Sequence, residues 1–191
     1  MSDEPTPSGE ETPSDQLKRS ALSVALEWLV ILVAAIALSQ AARTWVIATY
    51  TVPTPSMVPT IQVGDRFVVD RLVYRFREPR AGDIVLFDDP RHELPALVKR
   101  VVAVAGHTVD LQDGQVVIDG VPAYEPYTHG KVSMPETVRM PVTVPAGYVW
   151  VMGDNRTDSG DSRFFGPIPV DSIHGRATFT YWPPNDIGTL R

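Results

Sequence analysis

The hydrophobic pattern divides the chain into a polar start, one long apolar stretch and a region of short alternating runs. The first 16 residues carry no large apolar side chain after Met1, so no burial would offset the entropy lost on ordering them. Residues 21–42 are then almost continuously apolar. At about 1.5 Å per residue they predict a helix of roughly 33 Å, long enough to cross a hydrocarbon core of roughly 30 Å.

Charged and aromatic residues lie near both ends of the apolar stretch. Glu27 and Arg43 lie where a charged side chain can reach water, and Trp28 and Trp45 lie where interfacial rings are expected. A cleaved secretory signal is the alternative, because Ser39-Gln40-Ala41 offers small residues at a suitable spacing. Signal peptides usually have a shorter apolar core of about 7–15 residues, which favours a retained anchor.

The distribution of basic residues predicts the orientation of this anchor. Lys18 and Arg19 precede the stretch, whereas Arg43 alone follows it closely. Because basic residues concentrate on the cytoplasmic side of a membrane, we expect the N-terminus inside the cell and the rest of the chain outside.

The remainder of the chain reads as short strands separated by turns. Two of these strands flank Asp113-Gly114, a strong hairpin signal. Four further runs are rich in valine, isoleucine and aromatic residues: Arg66–Asp70, Asp83–Phe87, Leu97–Val104 and Gly147–Met152.

We therefore predict a mostly β protein in three parts. A disordered acidic cytoplasmic tail spans residues 1–19, and a single transmembrane signal-anchor helix spans residues 20–46. Residues 47–191 form an extracytoplasmic domain built on an antiparallel β-sheet.

Composition narrows the chemistry. The chain has 17 basic and 23 acidic residues, and five of the acids lie in the first 16 positions, so the folded part is close to neutral. It has no basic run, and we expect no nucleic-acid partner. The absence of cysteine excludes disulfides, a thiol nucleophile and cysteine metal sites. We expect no metal and no other cofactor.

Ser56 is the first candidate for chemistry. Prolines at positions 53, 55 and 59 surround it and restrain the backbone on both sides. Such fixed placement benefits a nucleophile, because its attack geometry is set before the substrate arrives. A rigid linker with a solvated serine would have the same pattern.

Lys99 is the second candidate, within the strand-like run Leu97–Val104. If its side chain faces an apolar interior, burial lowers its pKa, and the neutral amine can accept the proton of a serine hydroxyl. A surface lysine on an edge strand is the alternative.

A polar loop is the third candidate, at residues 153–166 after an apolar strand. Asp161 and Arg163 would form an ion pair there, whereas an ordinary turn or a calcium loop is the alternative. The spacing does not fit an EF-hand. The four histidines, His92, His107, His129 and His174, lie in expected loops and outside any catalytic motif, so we interpret them as solvated.

Taken together, these segments resemble the bacterial type I signal peptidases, also called leader peptidases, a family of Ser/Lys-dyad serine proteases. The resemblance runs from the anchor to about Trp182. It is carried by five segments in order: Thr54–Thr60, Gly64–Val69, Arg80–Phe87, Lys99–Val102 with Gly106, and Gly153–Gly166, the last matching Gly-Asp-Asn-Arg-x-x-Ser-x-Asp-Ser-Arg at every fixed position.

The resemblance implies roles for individual residues. Ser56 would be the nucleophile and Lys99 the general base. The Thr54 hydroxyl and the Ser56 backbone N–H would form the oxyanion hole, Ser159 would orient the lysine amine, and the pair Asp161 and Arg163 would brace the loop. Four residues would bind the substrate beside or within shallow pockets for small side chains: Val52, Pro53, Ile61 and Val98.

The function implied by the resemblance is membrane-anchored cleavage of signal peptides from secretory preproteins after small residues, of the Ala-x-Ala type. The expected partners are these preproteins and the lipid bilayer, and we expect residues 45–50 and Met57 either to contact lipid or to pack in the core. Two alternatives remain open: a membrane-tethered β module that binds peptides without cleaving them, and another Ser/Lys processing peptidase.

Overall fold

The computed structural model describes the backbone of residues 13–45 and 47–190, and the side chains of residues 23–40 and 48–190. The chain divides into two compact units between Arg43 and Thr44. The part of the predicted tail at residues 1–12 and the side chain of Trp45, placed at the membrane interface, lie outside the described residues.

The first unit contains one long helix, α1, which spans Pro13–Trp45. It begins inside the region predicted to be disordered, so residues 13–19 are helical. Proline at the first helical position has a suitable φ, and acidic residues such as Asp15 are favoured in the first turn. Within α1, Ser23–Gln40 is long and apolar enough to cross a membrane, and its side chains are exposed.

The second unit is built on a large antiparallel sheet, as predicted. Its central strands are rich in β-branched and aromatic residues that pack on a pleated surface. Eight strands form it: β1 (Ile47–Thr51), β2 (Arg66–Asp70), β3 (Ile84–Phe87), β4 (Leu97–Val104), β9 (Tyr148–Met152), β10 (Ile168–Pro169), β11 (Ile173–Trp182) and β12 (Gly188–Thr189). The order is β1-β2-β11-β3-β4-β9-β10, and β12 pairs with β11.

A smaller antiparallel sheet lies between β4 and β9 in the sequence. Four strands form it in the order β7-β6-β5-β8: β5 (Thr108–Gln112), β6 (Gln115–Ile118), β7 (Val121–Pro122) and β8 (Val142–Thr143). The predicted hairpin joins β5 to β6. Gly114 in its turn has a φ of +78°, a conformation that glycine adopts readily.

Two one-turn helices and four 3₁₀ turns complete the second unit. These are α2 (Val73–Phe76), α3 (Ser162–Phe165) and the turns Pro55–Met57, Pro126–Thr128, Val170–Ser172 and Pro184–Asp186. Predicted strand ends agree with the observed ones to within one residue. The strand predicted to start at Asp83 starts at Ile84, because the Asp83 carboxylate instead accepts hydrogen bonds from the Arg80 backbone and the Arg77 guanidinium.

Strands β3 and β4 are buried over most of their length. Both of their faces are covered, which explains why apolar residues do not simply alternate with polar ones along them. One core cluster packs Met57, Ile61 and Phe67 against β3. A second packs Val85, Phe87 and Val101 against β9, and a third joins Trp150 to the small sheet. The central strand β4 therefore has apolar side chains packed on both of its faces. Its polar residues consequently lie in apolar surroundings.

Candidate active site

Lys99 lies in the middle of β4, opposite Val85 of β3. Its side chain is 2 % exposed, so the prediction of an inward-facing lysine is confirmed. The next residue, Arg100, projects to the other face and is also buried. The strand therefore carries two buried cations, and each needs polar partners to offset the loss of water.

Ser56 lies in the 3₁₀ turn Pro55–Met57, where it is 6 % exposed. Pro55 stands at the start of this turn, and the Val58 backbone N–H donates to the Pro55 carbonyl at 3.1 Å. No side-chain hydrogen bond caps the turn. The backbone of the polar loop instead holds it from outside, because the Asn155 N–H donates to the Ser56 carbonyl at 3.0 Å.

The structure brings the two candidates into direct contact. Lys99 Nζ lies 2.7 Å from Ser56 Oγ, although the residues are 43 positions apart in the sequence. Lys99 Nζ also donates to its neighbour's carbonyl, Val98 O, at 3.1 Å. A nucleophile and a base at hydrogen-bond distance are the geometric requirement for activating a serine hydroxyl.

Burial also sets the charge state of this lysine. It lowers the pKa of the Lys99 ammonium from its ordinary value of 10.5 to about 8, and the Arg91 guanidinium lowers that pKa as well. The carboxylates of Asp161, Asp89 and Asp154 oppose the shift. With a pKa of about 8, about a tenth of Lys99 is the neutral amine at pH 7, and this form can accept a proton.

The loop after β9 surrounds this pair and contains the predicted ion pair. Arg163 Nε donates to Asp161 Oδ1 at 2.8 Å, and both side chains are buried. Asp161 also accepts from the backbone N–H of Gly153 at 3.0 Å and of Arg163 at 3.2 Å. The carboxylate therefore ties the start of the loop to helix α3.

Ser159 does not form the predicted hydrogen bond to Lys99 in this structure. Its hydroxyl is buried and has no hydrogen-bond partner among the described residues. It lies against Gly153, where a Cβ would collide with both Ser159 Oγ and the Ser56 carbonyl. The hydroxyl is therefore packed between the loop and the Ser56 turn, and its role in orienting the lysine remains a prediction.

Thr54 lies beside Ser56, as its predicted role requires. Its Oγ1 is 3.3 Å from Ser56 Oγ, and the residue is half-buried. The threonine hydroxyl is thus placed on the same side of the turn as the reacting oxygen, where an oxyanion donor would be needed.

Sequence reasoning missed a second set of charges, on β4 and in the loop after β9. Arg100 donates to both oxygens of Asp154 at 2.8 and 2.7 Å, and its guanidinium lies 4.0 Å from the Tyr127 ring centroid. Arg156 pairs in the same two-pronged manner with Glu125. The positions of Arg100, Asp154 and Arg156 within the matching segments could have indicated them, whereas Glu125 carries no sequence signal.

A pocket of about 190 Å³ opens beside the dyad. Three of the four residues predicted to bind substrate, Val52, Pro53 and Val98, line it. Tyr50, Leu94, Pro95 and Ala96 line it from the same two segments, and Phe67 and Leu86 line it from β2 and β3. The fourth, Ile61, is fully buried in the core cluster with Val52 and is not among the lining residues. It supports the pocket from beneath, because it packs on a residue that lines it.

Two other expectations concern exposure. Met57 is fully buried in the core, so the suggestion that it contacts lipid is wrong and core packing is the correct alternative. Its position after the buried Ser56 in a tight turn directs it inward. All four histidines are exposed, as predicted. In residues 23–40 and 48–190 no group of three His, Asp or Glu side chains is arranged to hold a metal ion.

Comparison with known proteins assigns the family. The family model described as "Signal peptidase, peptidase S26" matches residues 25–182. Signal peptidase I of Leptolyngbya laminosa is 37% identical, over 99% of this chain and 95% of its own. The probable signal peptidase I-1 of Synechocystis is 38% identical over 86% of each chain.

Two further proteins are similar to this chain. Signal peptidase I of Mycobacterium tuberculosis is 34% identical over 93% of this chain and 79% of its own. A crystal structure of a signal peptidase I from Enterococcus faecalis is 32% identical, with a TM-score of 0.44, over 52% of this chain and 97% of that one. From the match of the family model to residues 25–182, and from the sequence relatives in Leptolyngbya laminosa and Synechocystis, it follows that the chain belongs to the signal peptidase family, peptidase S26.

Proposed function

We propose that this protein is a serine endopeptidase that removes signal peptides from exported preproteins, with Ser56 as nucleophile and Lys99 as general base. The observation that carries the proposal is the 2.7 Å contact between Ser56 Oγ and a buried Lys99 Nζ. The family assignment supports the same activity, because its named relatives are signal peptidases.

Acylation begins with the neutral Lys99 amine. It takes the Ser56 proton as Oγ attacks the carbonyl carbon of the residue before the cleavage site, forming a tetrahedral intermediate. The resulting Lys99 ammonium then gives this proton to the leaving amine, so the mature chain departs as its carbonyl–nitrogen bond breaks. The signal peptide remains as an ester on Ser56.

Deacylation repeats the sequence with water. Lys99, neutral again, takes a proton from a water molecule that attacks the ester carbonyl, and it then protonates Ser56 Oγ as the ester bond breaks. In both halves the oxyanion is stabilised by the Ser56 backbone N–H and the Thr54 hydroxyl. One such donor is typically worth roughly 3 kcal/mol of transition-state stabilisation.

The pocket beside Ser56 and Lys99 offers a place for the substrate to bind. An extended substrate would lie between the segment Val52–Thr54 and the start of β4, adding a strand by backbone hydrogen bonds. The pocket that opens there has a volume of about 190 Å³ and is lined largely by apolar side chains. It would accept apolar side chains before the cleavage site, and the preference for alanine-like residues is the one that the family resemblance implies.

The apolar helix supports anchoring in a bilayer. Ser23–Gln40 has the length and composition of a span, and Lys18 and Arg19 precede it. We infer a cytoplasmic N-terminus and an extracytoplasmic catalytic unit, because basic residues concentrate on the cytoplasmic side. This orientation places the catalytic unit on the side of the membrane where signal peptides emerge.

The test is cleavage of a secretory preprotein by the full chain in detergent micelles, with mass spectrometry of both fragments. We expect one cut after a small residue, and no cut with Ser56→Ala or Lys99→Ala. The matched control is His174→Asn, an exposed histidine, which should retain full activity. Preprotein binding without cleavage would favour the non-catalytic peptide-binding module, and full activity of Lys99→Ala would reject the dyad.

A further inference from the structure

The small sheet contributes a side chain to the surroundings of the dyad. Lys131, in the segment between β7 and β8, donates from Nζ to Asn155 Oδ1 at 2.5 Å. Asn155 in turn donates from Nδ2 to the Pro55 carbonyl at 3.0 Å and from its backbone N–H to the Ser56 carbonyl at 3.0 Å. A continuous chain of hydrogen bonds therefore runs from Lys131 to the backbone of the nucleophile.

The chemistry of these groups fixes the orientation of the Asn155 amide. Pro55 O can only accept a hydrogen bond, so it requires the amide NH₂ on its side. A lysine ammonium can only donate, so it requires the amide oxygen on the other side. The Thr157 hydroxyl supports the same orientation more weakly, because it donates to Asn155 Oδ1 at 3.3 Å. Lys131 supplies the charged, and therefore stronger, of these two contacts.

The segment that carries Lys131 is itself fixed to the catalytic loop. Arg156, the neighbour of Asn155, binds Glu125 through both terminal nitrogens at 2.7 and 2.6 Å. It also donates to Ser133 Oγ at 2.7 Å. Glu125 and Ser133 lie on either side of Lys131, so both flanks of the segment are held by contacts that do not involve the lysine.

We propose that Lys131 is a positioning residue for Ser56, acting through the Asn155 amide on the Pro55–Ser56 turn. The turn has no side-chain cap of its own, so its carbonyls depend on these outside donors. When Lys131 is removed, the amide can rotate, the Nδ2 contact to Pro55 weakens, and Ser56 Oγ leaves its position against Lys99 Nζ. The segment between β7 and β8 thus helps to position Ser56. The inference rests on the proposed function, because its main measure is preprotein cleavage.

The experiment compares Lys131→Met, Lys131→Arg and the control Arg139→Met in the full chain in micelles. Arg139 is an exposed cation in the same segment. We expect Lys131→Met to lower kcat about 10- to 100-fold, the scale expected for a displaced reacting group. KM should change little. The rise of kcat/KM with pH, which reflects loss of the proton from Lys99, should stay at the same pH. Lys131→Arg should restore most of kcat, and Arg139→Met should match the unaltered chain.

A double-mutant cycle identifies the route of the effect. In an Asn155→Ala background, Lys131→Met should cause no further loss of kcat, because the amide it orients is gone. Equal losses in both backgrounds, an unchanged kcat, or a change confined to KM would each overturn the inference. Failure of Ser56→Ala to abolish cleavage would instead overturn the proposed function.

A second substitution decides the matter if Lys131→Met does not fold. Asn155→Asp keeps an oxygen for Lys131 but places a second oxygen against the Pro55 carbonyl, where a donor is required. We expect a loss of kcat similar to that of Lys131→Met. Full kcat in Asn155→Asp would overturn the inference.

Discussion

Gly153 and Ser56 approach so closely that a Cβ at position 153 would overlap the Ser56 carbonyl oxygen. The same Cβ would overlap Ser159 Oγ. The backbone of Gly153 does not have a positive φ, so backbone conformation is not the reason that glycine is needed here. It is required because two loops, one carrying the nucleophile and the other following β9, must touch there for Ser56 to reach Lys99.

Gly153→Ala should therefore displace the Ser56 turn from the lysine. We expect kcat for preprotein cleavage to fall about 100-fold or more, the scale of a misplacement near 1 Å, with a smaller effect on KM. Gly188→Ala is the matched control, since a Cβ there meets no atom within 4 Å and its φ is not positive. Steady-state kinetics of both variants make the comparison, and a normal kcat for Gly153→Ala would contradict it.

The pH dependence of cleavage should follow the ionisation of Lys99. Burial places its pKa at about 8, and the neutral amine is the form proposed to act as the base. Because protonation removes the base, kcat/KM should rise with pH up to about 8 and then level off. The measurement is kcat/KM between pH 5 and 10 for the full chain and for His107→Asn. A limb near pH 6.5, the ordinary histidine range, that disappears in a histidine variant would argue against the lysine.

Arg91 should affect the pH at which kcat/KM rises, although it contacts neither Ser56 Oγ nor Lys99 Nζ. Its positive charge lowers the pKa of the Lys99 ammonium, and its guanidinium lies where a Cβ on Gly160 would meet it at 2.9 Å. Arg91→Gln removes the repulsion between two cations, so the pKa of Lys99 rises and the limb moves to higher pH. Cleavage at pH 7 then falls more than cleavage at pH 9.

The control for this prediction is Arg80→Gln, which removes an exposed arginine. Arg80 is not among the charges that act on Lys99. In Arg80→Gln the rise of kcat/KM with pH should therefore occur at the same pH as in the unaltered chain. A limb that stays unchanged in Arg91→Gln, or moves to lower pH, would show that Arg91 does not set the base strength.

Local patterns were sufficient to predict much of the fold. Alternation and β-branched residues located β2, β3 and β4, and Asp113-Gly114 located the hairpin, because the tendency to form a strand or a tight turn depends on neighbouring residues. The start of α1 at Pro13 was not predicted. Polar composition indicated disorder there, whereas helix-forming residues next to a long apolar helix can continue its hydrogen bonding.

The pairing of Ser56 with Lys99 was predicted from the segments that resemble the signal peptidases. The contacts that support this pair were not predicted. Lys131, Glu125 and Arg91 lie outside every matching segment, and their contacts span between 20 and 70 positions in the sequence. Such pairings depend on how the small sheet and the loop before β4 pack on the catalytic loop. Short-range periodicity holds no information about that packing, so only the folded structure identifies these residues.

Lys99 should also make the stability of the fold depend on pH, independently of catalysis. Its pKa is about 8 in the folded protein and 10.5 as an ordinary lysine. Between these values the unfolded chain binds more protons, so the free energy of unfolding rises with pH. A difference of this size corresponds to about 3 kcal/mol, reached above pH 10.5 and absent below pH 8.

Lys99→Met lacks this ionisation and isolates the effect. Tyr74 and Tyr127, whose pKa values are raised by burial, are present in both chains and cancel in the comparison. We expect the stability of the unaltered chain to improve relative to Lys99→Met as the pH rises from 7 to 11, measured as Tm or by denaturant unfolding in micelles. A constant difference across this range would mean that the amine at position 99 is not held in a desolvated site, and the proposed base would lose its physical basis.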